Sequence, residues 1–149
     1  MDWIQELGQA EHLHNTINTF LDQYGLSGLE DALNHYSAMQ SKYICKTESG
    51  ITKIKIADIH YLEIRVHTIT IHTQDGIYQK YGSLTDEQNR LSPYGFIKCS
   101  QSCLVSVRII KSIDGNTLTL KNGIQLHMSQ HYAPKVLAAF SRSNVSNRL

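Results

Sequence analysis

Three short polar groups hold the side chains best suited to chemistry in this chain: Arg65 with His67, Lys98 with Ser100-Gln101-Ser102, and Ser129-Gln130-His131. Gln and His can hydrogen-bond the edges of nucleic-acid bases, whereas Arg, Lys and Ser suit phosphate. Each group falls where a strand or helix is expected to begin or end, and contact residues belong on loops carried by regular supports. The middle group is the most pointed. Apolar residues crowd both sides of Ser100-Gln101-Ser102 between Phe96 and Ile113. A polar knot in such a frame makes poor core and good outward-facing surface. Its chemistry acquires joint meaning if the three loops converge.

Other chemistries find less support. There is no Gly-Lys-Ser/Thr phosphate loop, no Gly-x-Ser-x-Gly and no His-Glu-x-x-His. His12 and His14 would point to different faces of a helix, so a metal site is not expected there. Cys99 and Cys103 have a spacing unsuited to chelation, and each thiol is expected to pack as a small hydrophobe. A catalytic Cys needs a nearby His and an orienting partner. The chain is therefore expected to be no enzyme and to need no cofactor. Three cysteines form an odd set without zinc spacing, which suits free thiols in a reducing cytoplasm.

The elements that must position these groups follow from periodicity. In residues 1–40, Ile4, Leu7, Leu13, Ile17, Phe20, Leu21 and Tyr24 recur mostly at helical steps. Gly25-Leu26-Ser27-Gly28 then breaks the run, and Ser27 with Glu30 forms a capping box. Leu29, Ala32, Leu33, Tyr36 and Met39 share the next face. This predicts a helical hairpin too small to bury its own apolar faces, and so one that packs on the body or on a second subunit. After Lys42 the period changes to short strands: 43–46, 52–56, 59–62, 66–73 and 77–81, with Gln74-Asp75-Gly76 as a hairpin turn. Ser83 is expected to cap a helix to about Leu91. Strands follow from Phe96, over Arg108–Ile113, Thr117–Leu120 and Gln125–Met128, with turns at Asp114-Gly115-Asn116 and Asn122-Gly123. A last helix is capped by Ser129 and runs to about Phe140, leaving a polar, frayed tail.

Many short strands without a βαβ rhythm predict a mainly antiparallel β domain over residues 41–141, after a helical hairpin at 1–40 and before a flexible tail at 142–149. No apolar run is long enough to span a membrane, and the N-terminus lacks signal-peptide character. Charge is uneven. Residues 1–40 hold six acidic and no basic residues, whereas all 14 basic residues lie in 41–149 against seven acidic ones. A basic body suggests a polyanionic partner.

Residues 43 to about 140 resemble the LytTR domain, a bacterial DNA-binding domain. The resemblance rests on Ile56-Ala-Asp-Ile-His-Tyr-Leu-Glu63, Tyr81-Gly-Ser-Leu84, Phe96-Ile-Lys-Cys-Ser-Gln-Ser-Cys-Leu-Val-Ser106, Leu118-Thr-Leu120, Asn122-Gly123 and Met128-Ser129 followed by Tyr132. It implies an elongated antiparallel β fold with one short inserted helix and a C-terminal helix. It also implies recognition of promoter direct repeats through inter-strand loops, with bending of the duplex. Matching positions place contacts at His67, Gln101 and His131, with Arg65, Lys98, Ser100, Ser102, Ser129 and Gln130 beside them. Ser100 stands where the family often has His, and Ser106 where it often has Asn. Gln130 and His131 occupy a stretch usually richer in Arg. Fewer guanidinium forks imply weaker phosphate binding and a shallower salt dependence. The forty residues ahead of the domain are too few for a receiver domain. The expectation is a stand-alone cytoplasmic transcription regulator that binds double-stranded DNA, its first forty residues serving a homodimer or a regulatory protein. The alternative is a protein-binding co-regulator of the same fold with weakened DNA affinity.

Overall fold

The structure is a computed structural model that describes residue 6 and residues 10–146. The first-helix positions Ile4 and Leu7 lie outside the described residues. The described chain divides into two compact units, one ending at Ala38 and one beginning at Met39.

Helix α1 (Glu11–Met39) is two helical segments joined at Gly25, whose φ of 72° and ψ of −178° leave the helical region. Glycine adopts that conformation at little steric cost. A Cβ at Gly28 would fall 2.5 Å from the Cβ of Tyr24, so the chain closes tightly just past the break. Both glycines thus have a steric reason, and the expected interruption lies at Gly25. Much of the apolar surface of α1 stays in water: Leu26, Leu33 and Tyr36 are 76%, 59% and 65% exposed.

The second unit is built on antiparallel sheets. Strands β1 (Lys42–Thr47) and β2 (Gly50–Lys55) form a hairpin. A five-stranded sheet has the order β5-β4-β3-β7-β6, from β3 (Ile59–Arg65), β4 (Thr68–Thr73), β5 (Gly76–Tyr81), β6 (Phe96–Ser100) and β7 (Cys103–Ser106). A three-stranded sheet, β10-β9-β8, is formed by β8 (Ile110–Asp114), β9 (Thr117–Leu120) and β10 (Gln125–His127). Helix α2 (Leu84–Leu91) lies between β5 and β6, and helix α3 (Ala133–Ser146) follows β10. Ser83 caps α2 as expected, its side chain accepting from the Asp86 amide at 3.2 Å.

Both faces of the central sheet are covered at β7 and at the start of β3, where consecutive residues are buried, whereas β4 alternates and β5 is largely exposed. Leu62 and Leu104, paired across β3 and β7, belong to one buried cluster with Tyr43, Ile54, Ile69, Leu84 and Phe96. Tyr61 and Val105, the neighbouring pair, belong to a second with Cys99, Leu118, Met128 and Val136. Cys99 and Cys103 are free, buried and packed in that second cluster. Glu87, 2% exposed, is held by Lys80 Nζ at 2.8 Å and by the Tyr43 hydroxyl, which donates at 2.5 Å. Burial, then the Glu87 carboxylate, push the Tyr43 phenol above its ordinary range.

Three boundaries differ from expectation. Val66 belongs to the β3–β4 turn rather than to a strand, and its φ of 59° lies in the left-handed region. Val107–Ile109 forms a 3-10 turn before β8, so the strand expected from Arg108 begins two residues later. Arg108 instead donates from Nη2 to the carbonyl of Ala57 at 2.7 Å. The last helix begins at Ala133 and continues to Ser146, past the end expected near Phe140. The backbone carbonyl of Ser129 accepts from the amides of Tyr132 and Ala133 at 3.1 and 3.2 Å, forming the turn that leads into it.

Candidate nucleic-acid interface

The three polar groups emerge at one end of the five-stranded sheet. β3 ends at Arg65 and β4 starts at Thr68; β6 ends at Ser100 and β7 starts at Cys103. Backbone hydrogen bonds then tie the loops together. The Ile64 amide donates to the Ser102 carbonyl at 2.9 Å, and the Ser129 amide donates to the Cys99 carbonyl at 2.9 Å. The β3–β4 hairpin and the β10–α3 loop are thus both fastened to the β6–β7 turn. The register shift between Lys98 and Ser100 is a bulge just before that turn, a device that re-aims side chains. It leaves Cys99 in the core while Gln101 and Ser102 stand exposed.

Ser100, Gln101, Ser102, Ser129 and His131 line one groove of about 510 Å³. Arg65 lines an adjoining groove of about 720 Å³, which shares Glu63 and Ser102 with the first. His67 occupies the β3–β4 turn, its carbonyl accepting from the Gly82 amide at 3.0 Å, and lines neither groove. Lys98 is half-buried within β6, and Gln130 is exposed beside the first groove without lining it. Six of the nine expected residues therefore share two adjoining grooves, and three stand beside them.

The grooves also contain residues that the sequence did not assign as contacts, although Glu63 and Tyr132 lie within the family motifs. Glu63 sits where the two grooves meet. Its Oε2 lies 3.0 Å from His72 Nε2, and the His72 ring stacks on Tyr61 at 4.0 Å and 8°. A carboxylate repels phosphate and accepts from exocyclic base amines. His127 and Tyr132 complete the first groove, and Thr68, Thr70 and Gln79 complete the second. Glu63 was legible: it lies two residues before Arg65 in a strand, where alternate residues share a face. Beneath the first groove, the buried Cys99 thiol donates to the Cys103 carbonyl at 3.9 Å.

The arrangement is a rigid, open, hydrogen-bonding edge with one exposed cation, Arg65, among the nine residues. No group of three or more His, Cys, Asp or Glu among the described residues is placed to hold a metal ion. No helix among them is long and apolar enough to cross a membrane.

Comparison with known proteins identifies the family. A search of curated proteins gives no match. Among solved structures, the chain is similar to the LytTr DNA-binding domain of a methyl-accepting/DNA response regulator, so described, from Bacillus cereus. The TM-score is 0.58 at 26% identity, over 66% of this chain and 95% of that one. The family model for the LytTr DNA-binding domain matches residues 49–141, from β2 into α3. The chain belongs to the LytTR family of DNA-binding domains.

Proposed function

We propose that this chain is a sequence-specific transcription regulator that sets the β3–β4, β6–β7 and β10–α3 loops against a promoter duplex. The observation that carries the reading is the joining of these loops by the Ile64–Ser102 and Ser129–Cys99 backbone bonds. Pre-set loops incur little ordering entropy on binding. Gln101 and His67 read base edges in the grooves, His131 adds a second imidazole, and Arg65, Lys98, Ser100, Ser102, Ser129 and Gln130 position the backbone. Contact through loops spread along one edge favours a bent duplex, because bending brings more of it against the protein.

Gel shifts across promoter variants test base readout. Gln101→Ala and His67→Ala are each expected to weaken specific binding by ~1–3 kcal/mol while leaving non-specific binding nearly unchanged. Equal losses on every sequence would reject it.

A second reading concerns the α1 unit. Its exposed Leu26, Leu33 and Tyr36 favour a protein partner, a second copy or a regulator, in addition to DNA. A co-regulator that acts without DNA would show no salt-dependent binding to promoter fragments.

A further inference from the structure

The loops described above hold few cations, yet affinity for a duplex comes largely from neutralised phosphates. Further charge starts one step along the same end of the sheet, at Lys46, and runs along β1 to Lys42, which also lines a groove with Asp58 and Asp75 near the β4–β5 turn. The groove that holds Arg65 shares Thr68 and Gln79 with a third groove, of about 660 Å³, formed against the tip of the β1–β2 hairpin. Lys46, Thr47 and Ser49 line it from the hairpin, and Lys80 and Tyr81 from β5. It shares Lys46 and Lys80 with a fourth groove, of about 480 Å³, which adds Lys42 and Arg90. Four cations line this last groove and, among the described residues, no carboxylate does.

We propose that the β1–β2 hairpin tip is a fourth contact loop, and that Lys42, Lys46 and Arg90 hold phosphates of the same duplex beyond the bases read by the other three loops. The proposal rests on the DNA reading above.

Several details suit phosphate rather than base recognition. Lys42, Lys46 and Arg90 are exposed. They come from a strand and a helix set against the edge of the central sheet, so they are carried on stiff supports. The Thr47 hydroxyl donates to the Gly50 carbonyl at 3.3 Å and lies 3.0 Å from the Ser49 hydroxyl, so these groups hold the hairpin tip in shape beside the cations. Lys80 is different: its ammonium is engaged by Glu87 at 2.8 Å, so it anchors the groove and adds little net charge. The acidic residue facing the third groove is Glu48 at the hairpin tip, which opposes an anion there. β1 lies outside the residues matched by the family model, which begin at 49.

The test is salt-dependent binding of the full chain to a duplex selected from a random pool and to a scrambled duplex. Lys42, Lys46 and Arg90 are each replaced by Gln in one triple variant, and Glu48→Gln is made separately. In the triple variant the slope of log K against log salt should fall by ~0.9 for each phosphate no longer neutralised, with the preference for the selected duplex unchanged. Hydroxyl-radical protection should disappear from one flank of the site only. Glu48→Gln should bind both duplexes more tightly, which serves even if the triple variant folds poorly. An unchanged slope and footprint in the triple variant, or weaker binding by Glu48→Gln, would overturn the proposal. So would an unchanged slope in a triple variant that no longer binds inorganic phosphate by calorimetry, which would mark a small-anion site instead. If the wild-type chain binds neither duplex, the DNA reading itself fails. If Gln101→Ala alters sequence preference while the triple variant changes nothing, the fourth loop alone fails.

Discussion

At the scale of single residues, His60 ties the two larger sheets together. It is 8% exposed on β3, and its Nδ1 lies 3.4 Å from Asn122 Nδ2 in the β9–β10 loop. Asn122 can only donate there, so the contact needs an unprotonated Nδ1. Burial is the main force lowering the His60 pKa from its ordinary 6.5, and Arg108 and His72 lower it further, against opposite effects of Gln74 and Asp58. The unfolded chain therefore binds this proton more readily than the folded one. Stability from this group is complete above about pH 6.5 and is lost as pH falls toward the lower folded value. Thermal melts of wild type and His60→Gln, compared from pH 7.5 down to pH 5.5, are expected to show a smaller decline in the variant. Parallel declines would show that His60 is no part of the acid sensitivity.

At the scale of elements, the β3–β4 hairpin is the informative piece. Arg65 pairs with Thr68, leaving Val66-His67 as a two-residue turn with positive φ at Val66 alone among the described non-glycine residues. That sign pattern is the one for which glycine is favoured at the first turn position. A β-branched residue there stores ~1–3 kcal/mol of strain. Val66→Gly should therefore raise the denaturation midpoint, with stability gained by about 1 kcal/mol after the entropy of glycine is subtracted. A fall in midpoint would show that the exposed Val66 side chain, 83% accessible, contributes packing not visible in the fold. This turn also shows where sequence reading runs out. Val66 continues the apolar alternation of its neighbours, and no Gly, Asn or Asp marks the reversal. The hairpins at Asp75-Gly76, Gly115-Asn116 and Asn122-Gly123 were legible because their residues tolerate turn geometry. Lys98 read as a contact residue, yet the strand holds it half-buried, since the bulge that frees the turn comes after it.

At the scale of the whole molecule, the antiparallel β domain was legible from strand period and family motifs together. The three polar groups were legible one by one. Their meeting was not, because it depends on backbone bonds between residues far apart in sequence, such as Ser129 with Cys99. The cationic grooves were less legible still: Lys46, Lys80 and Arg90 come from three separate elements, and one of these cations is consumed by Glu87. The central claim is that one end of the five-stranded sheet faces the duplex. Backbone amide NMR of the labelled chain, titrated with its selected duplex, tests it most directly. The account predicts shifts concentrated at residues 65–68, 100–102 and 129–131, with the β9–β10 turn at Gly123, at the other end of its strands, unmoved. Shifts confined to residues 11–38 or to the β9–β10 turn, with those three loops silent, would contradict it.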